Sequence, residues 1–365
     1  MTDIAASSVR DRPRRLFAAF ERWPAWLFYA PVFVQWFWLA ARYRGLTLPT
    51  IANTPPALSG FLGESKSGAL MLLGAKGRAH LPPFSAFAVS ATGDAAENAR
   101  RAGEALSRGR LDFPLVAKPD VGQNGAGVKI VRDQGELARY LAAFPRGATV
   151  ILQKYIAFEG EAGIVYVRHP AAEKGRIPSL TLKYFPTVTG NGASTLRELI
   201  LTEPRAGQIA PLYFARHKAH LDDVVPAGEQ VRLVSVGNHC RGAIFRNGAS
   251  HITPRLEAAL DAIAKEIPGF HFGRFDVRFP SLADLERGEN FAILEINGAD
   301  SEMTHIWDVD ETIAGAYRTL FGQYRTIFEI GAANRARGAR AATPAAFIRA
   351  WWETRKLFAK YAQEE

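Results

Sequence analysis

Two short runs in the last third of the chain alternate apolar and polar residues with a period of two. In Gly273–Phe279, Phe275, Val277 and Phe279 fall on one face, and Arg274 and Asp276 on the other. In Phe291–Asn297, Ala292, Leu294 and Ile296 share a face, and Glu295 and Asn297 share the opposite one. The pattern predicts two strands joined by a polar turn. If they pair, a guanidinium, two carboxylates and a carboxamide converge. Charged groups in the middle of apolar runs are costly unless paired or metal-bound. Three hard oxygen donors suit Mg²⁺, and the arginine suits a phosphoryl oxygen. An exposed hairpin with a salt bridge is the alternative reading.

A second pair of strand patterns lies in Phe113–Val131, FPLVAKPDVGQNGAGVKIV. Lys118 sits on the first, and Gly122, Gly125 and Gly127 mark the loop between them. Backbone N–H groups approach phosphates closely where side chains are missing. The loop lacks the Gly-Lys-Ser/Thr ending of a P-loop, and a β-type run follows it instead of a helix, so no dinucleotide fingerprint fits either. A hairpin lid over a triphosphate fits better.

Elsewhere, Leu58–Gly74 reads as a loop and then a helix capped by Ser65 or Ser67, and Ala95–Arg108 reads as a helix. Glu64, Ser65 and Lys66 either start that helix or face a substrate. Trp23–Ala41 carries no charge, but it includes Pro24, Pro31 and Gln35 and is near the lower limit of a spanning helix. Its tryptophans and its flanking arginines (Arg10, Arg12, Arg14, Arg15, Arg22, Arg42 and Arg44) suit a monotopic helix or hairpin lying in a membrane face. A helix packed on the body is the alternative. A cleaved signal peptide fits less well, since no Ala-x-Ala site follows. Ala346–Tyr361 is a second amphipathic helix, suited either to anionic lipid or to the protein surface.

With 365 residues, 48% hydrophobic and 22% charged, the chain suits two or three folded lobes. Its single cysteine, Cys240, excludes a disulfide framework and reads as a buried small residue. The net charge of +9 is uneven: residues 1–44 and 331–365 each carry +4, and the body between them +1. Basic ends rich in Trp and Phe favour lipid over nucleic acid. His217 and His220 have no Glu or Cys completing a zinc pattern. His305, after the second strand, either lines the substrate cleft or is a surface or packing residue.

On the motifs from Phe113 to about Ile330 the chain resembles the ATP-grasp superfamily. It is similar to D-alanine–D-alanine ligase, glutathione synthetase and the ATP-grasp half of cyanophycin synthetase. The resemblance implies an α/β fold of α+β lobes with ATP held between two of them. The expected division is a membrane-associating segment 1–44, a small first lobe 45–112, an ATP-grasp domain 113–330 (an ATP-binding lobe 113–157 and a lobe with the Mg²⁺ site 158–330), and a basic helix 331–365. By resemblance, Lys118 contacts the nucleotide phosphates, and Gly122, Gln123, Asn124, Gly125 and Gly127 cover them. Gln153, Lys154, Tyr155 and Ile156 form the hinge that reads adenine, with Gln153 where the family usually has Glu. Glu161 meets the ribose, with Glu159 as runner-up. Arg274 matches the catalytic arginine, and Asp276, Glu295 and Asn297 match the metal ligands. Lys183 is a further phosphate contact. In Val188–Ile200, Asn191 stands where Gly-Asp-Gly is more usual, and it preserves the turn.

The resemblance implies a ligase using ATP and one or two Mg²⁺, with Mn²⁺ as an alternative ion. A carboxylate attacks the γ-phosphoryl, and an amine then attacks the acyl phosphate to give an amide. Asp300, Ser301 and Glu302 are placed to meet the acid or the amine. The substrates are small or lipid-linked. The expected location is the cytoplasmic face of a membrane, peripheral or monotopic; a dimer is allowed, and nucleic acid is not a partner. A phosphotransferase acting on a hydroxyl is the rival enzyme. A nucleotide-binding membrane adaptor without turnover is the rival outside enzymes.

Overall fold

The computed structural model describes residues 16–54, 59–61, 63–122, 125–234, 237, 239 and 242–361. Gln123, Asn124, Cys240, Arg10, Arg12, Arg14 and Arg15 lie outside the described residues.

The apolar run near the start forms α1 (Ala25–Arg42). Phe28, Val32, Leu39 and Ala40 are buried on one side of it, against residues that include Leu320 and Phe328 of a later helix. Gln35, the polar residue inside the run, donates through Nε2 to the Phe321 carbonyl at 2.9 Å. Among the described residues no helix is long and apolar enough to cross a membrane. The opposite side of α1 exposes Trp26, Phe33, Val34, Phe37 and Trp38.

Next come α2 (Lys66–Met71) and α3 (Ala75–Ala79). Ser65 caps α2, its side chain accepting from Gly68 N–H. Then follow β1 (Phe84–Ala88), α4 (Ala95–Gly109), β2 (Leu115–Pro119), β3 (Lys129–Val131), α5 (Gln134–Ala143) and β4 (Thr149–Lys154). These strands form one antiparallel sheet in the order β1-β4-β2-β3. β1 and α4 were expected in a separate first lobe, but they belong with this sheet. Five residues of β1 pair with β4, and Ala102 and Ala105 of α4 share a core with Leu115, Ala117 and Leu152. α4 starts where Asp94 accepts from Ala96 and Glu97 N–H.

The second sheet contains β5 (Gly160–Val167), β6 (Arg176–Tyr184), β9 (Ile244–Asn247), β10 (Phe272–Phe279) and β11 (Ala292–Asn297), in the antiparallel order β11-β10-β5-β6-β9. Between β6 and β9 lie β7 (Thr187–Thr189), α6 (Leu196–Thr202), α7 (Ala210–Arg216) and β8 (Gln230–Arg232). α6 begins with a reciprocal cap between Thr195 and Glu198. α8 (Pro254–Lys265) packs Leu256, Leu260 and Ile263 on one face of the sheet with α2, against Ile164, Phe275 and Ile293. α9 (Leu282–Arg287) connects β10 to β11 where a plain polar turn was expected. α10 (Ile313–Ala336) and α11 (Pro344–Tyr361) complete the chain. α10 covers one end of the other sheet face, with Ile327 and Ile330 against Val165 and Phe272. The remaining end of that face is a cleft. α11 returns to the first sheet, where Tyr361 packs on Phe144 at 5.5 Å.

Candidate active site

The cleft, about 890 Å³, lies between the two sheets, and α1, α11 and the start of α2 add to its wall. Period-two alternation on β10 and β11 builds its floor. Arg274 stands opposite Asn297, and Asp276 opposite Glu295. Asp276 Oδ1 accepts from Lys183 Nζ at 2.9 Å and from Arg274 Nε at 3.1 Å. Its Oδ2 accepts from Arg274 Nη2 at 3.1 Å and from Asn297 Nδ2 at 2.8 Å. Gly163 on β5 permits this crowding, since a Cβ there would lie 3.0 Å from Arg274 Cδ. Burial alone would raise the Asp276 pKa, but Arg274 and Lys183 hold it well below the usual carboxylate range. Lys183 is likewise desolvated, yet Asp276 and Glu161 raise its pKa overall.

Three parts of the chain meet at Glu295 and Lys118. Lys66, at the start of α2, forms an ion pair with Glu295 Oε1. Burial opposes ionisation of Glu295; Lys66 and Lys118 outweigh it and lower its pKa. Lys118 Nζ donates to Gln153 Oε1 at 2.9 Å and to the Leu294 carbonyl of β11 at 3.1 Å, so it spans the two sheets. Desolvation pulls Lys118 down to about 8. Gln153 is buried, and its Nε2 has no hydrogen-bond partner among the described residues. Gly125 and Gly127 have φ of +70° and +69°, a conformation that favours glycine. A Cβ on Gly127 would also stand 2.9 Å from Pro119.

At one end, Lys154, Tyr155 and Ile156 line the cleft beside Glu161. Glu161 is buried and accepts from Arg278 Nε at 3.1 Å and Lys183 Nζ at 3.4 Å, whereas Glu159 is exposed. At the other end are Glu64, Asp300, Ser301 and Glu302. Glu64 accepts from Gly298 N–H at 3.2 Å, and burial, with Asp300 alongside, pushes it up to about 9. Glu302 accepts from Tyr29 Oη at 2.7 Å and Trp307 Nε1 at 2.8 Å.

Several of these groups escape the sequence reading. Arg278 continues the alternation of Arg274 and Asp276 and could have been read from it; it donates to the Ile156 carbonyl at 2.6 Å. Tyr29 and Trp23 carry no signal for the cleft, where Tyr29 meets Glu302 across 273 residues of chain. His305 takes the packing alternative and does not line the cleft: its Nδ1 pairs with Ser179 Oγ at 2.7 Å. His217 and His220 take separate partners, the Leu233 carbonyl at 3.1 Å and Asp223 at 2.9 Å. Among the described residues no group of three His, Cys, Asp or Glu is poised for a metal ion; the set at β10 and β11 is two carboxylates and a carboxamide.

No family model matches the chain. A cyanophycin synthetase from Geminocystis herdmanii is 26% identical over an alignment of 214 residues that covers 53% of this chain. The chain spans about a quarter (24%) of that relative's length. A D-alanine–D-alanine ligase from Bacillus anthracis is similar in structure, with a TM-score of 0.42, 16% identity and coverage of 79% of this chain and 72% of the ligase. The VanG D-Ala:D-Ser ligase from Enterococcus faecalis gives a TM-score of 0.37, 16% identity, and coverage of 72% and 64%. A bifunctional glutathione synthetase from Pasteurella multocida gives 0.32 and 16%, covering 67% of this chain and 34% of the synthetase. The chain resembles ATP-grasp enzymes.

Proposed function

We propose that the protein is an ATP- and Mg²⁺-dependent carboxylate–amine ligase. The observation that carries this reading is the set of buried Lys118, Lys183 and Asp276 with half-buried Arg274 and Glu295, facing a glycine hairpin across one cleft. Phosphoryl transfer needs mainly positioning and fixed charge. Lys118, Lys183 and Arg274 are fixed cations for phosphoryl oxygens. The hinge Gln153–Ile156 takes the adenine edge, and Glu161 the ribose side. The donor chemistry fits the metal. Asp276 and Glu295 are favoured in their ionised forms, and Asn297 gives its Nδ2 to Asp276, which leaves Oδ1 as a ligand atom. When bound, Mg²⁺ neutralises charge on the transferring group.

In the proposed reaction a substrate carboxylate oxygen bonds to the γ-phosphorus, and ADP departs. An amine nitrogen then bonds to the acyl carbon, and phosphate departs. Glu64, Asp300 and Glu302 form an end of buried carboxyl groups, raised in pKa, that can hydrogen-bond an uncharged amine, which favours amide formation over transfer to a hydroxyl. The exposed aromatic side of α1, together with Trp351 and Trp352 of α11, supports a protein resting on the cytoplasmic face of a membrane. Trp23, Tyr29, Phe347 and Trp351 also line the cleft, consistent with a lipid-linked or hydrophobic substrate. Incubating the protein with ATP, Mg²⁺ and pooled acids and amines tests the reading. Phosphate release that needs both an acid and an amine, with a conjugate lighter by water than its parts, supports it. A phosphorylated alcohol would replace it with the kinase.

A further inference from the structure

A second cavity of about 860 Å³ opens between the lobes beyond Tyr155 and Arg278. Lys129 of β3, Arg132 in the connection after it and Arg139 of α5 reach it from one side, Arg216 and Arg232 from the opposite lobe, and Lys360 from α11. No carboxylate lines it among the described residues. The body of the chain, 45–330, is almost neutral, so this wall is a local segregation of charge rather than a share of general basicity. Arg132 reaches Glu136 only at 3.8 Å. Lys129, Arg139, Arg232 and Lys360 have no ion pair among the described residues.

Arg232 is the most constrained member. Its guanidinium lies 3.6 Å over the Phe185 ring, and its Nε donates to the Val234 carbonyl at 3.1 Å. Its Nη2 is buried without an acceptor among the described residues. Buried donors are seldom left in this state unless something else supplies the acceptor. Burial, with Arg278 nearby, also lowers the Arg232 pKa, and the charges of Glu159 and Glu161 offset this only in part. Like charges held within a Debye length repel one another until an anion joins them.

We propose that this cavity is a second ligand site, for a small molecule carrying clustered phosphate groups. Guanidinium forks match phosphate oxygens in pairs. Linked phosphates deliver more charge per unit volume than carboxylates, which suits a cavity lined by six cations besides Arg278. Tyr140 and Phe144 add an aromatic wall that accepts an organic portion. The site adjoins the hinge end of the first cleft and not Asp276 and Glu295, so its occupant is an effector or an anchor rather than the reacting group.

The test is calorimetric titration of inorganic triphosphate into the full chain, with the first cleft pre-filled by a non-hydrolysable ATP analogue. Lys129 and Arg139 are exposed, so the double variant K129Q/R139Q keeps the fold, which circular dichroism checks. We expect saturable binding by the native protein and at least a tenfold loss in K129Q/R139Q and in R232Q, with affinity for the ATP analogue unchanged. Citrate, a tricarboxylate, should bind at least tenfold more weakly than triphosphate. No triphosphate binding, equal binding by the variants, or equal binding of citrate overturns the proposal.

Discussion

Asp276 and Glu295 stand opposite each other, yet each is held by different cations: Arg274 and Lys183 for one, Lys66 for the other. That separation keeps two adjacent carboxylates ionised. Replacing Glu295 by Gln preserves its shape and removes the charge, so phosphate release should fall roughly 100-fold or more while circular dichroism stays native. Wild-type turnover in Glu295→Gln would remove the metal assignment. Lys118 titrates at about 8 because it is desolvated. An anionic phosphate beside it should restore the charge. Nucleotide binding near pH 8 to 9 should therefore take up a proton, and free-state affinity should weaken as pH rises through 8. Calorimetry in buffers of different ionisation enthalpy reads this directly; the absence of uptake would place the phosphates elsewhere.

At the scale of elements, the β10–β11 and β2–β3 pairs were legible because period-two alternation fixes which side chains share a face. The connection through α9 was not read, since Leu282–Arg287 is only six residues long, with Leu282 and Leu285 as its only large apolar side chains. Lys66 and Glu295, 229 residues apart, meet only through packing of α2 on the sheet. α1 shows the same limit. Its composition marks an apolar helix, but only the fold tells its body-facing side from its exposed side. Trp26, Phe33 and Phe37 are 72%, 61% and 63% exposed, so changing all three to Ser should leave the thermal midpoint nearly unchanged. The same change should abolish most flotation with anionic vesicles. Unchanged flotation would end the membrane reading, and unfolding would show that these residues stabilise the body.

At the scale of the molecule, both terminal segments return to one cleft: α1 supplies Tyr29 to Glu302, and α11 supplies Phe358 and Trp351 to its wall. The basic ends were visible as a +4 charge on each, but their meeting was not, because nothing local couples residue 29 to residue 302. On the proposed assignment, backbone groups at Gln153–Ile156 read the adenine edge, so ATP should support turnover at least tenfold better than GTP; equal use of both would mean that the base sits elsewhere. The central claim is that a carboxylate oxygen accepts the phosphoryl group. It is tested most directly by running the reaction with an acid labelled with oxygen-18 in both carboxyl positions, chosen from the active pool. One labelled oxygen should appear in the released phosphate, and one should remain in the amide. Unlabelled phosphate, with both labelled oxygens still on the acid, would contradict it.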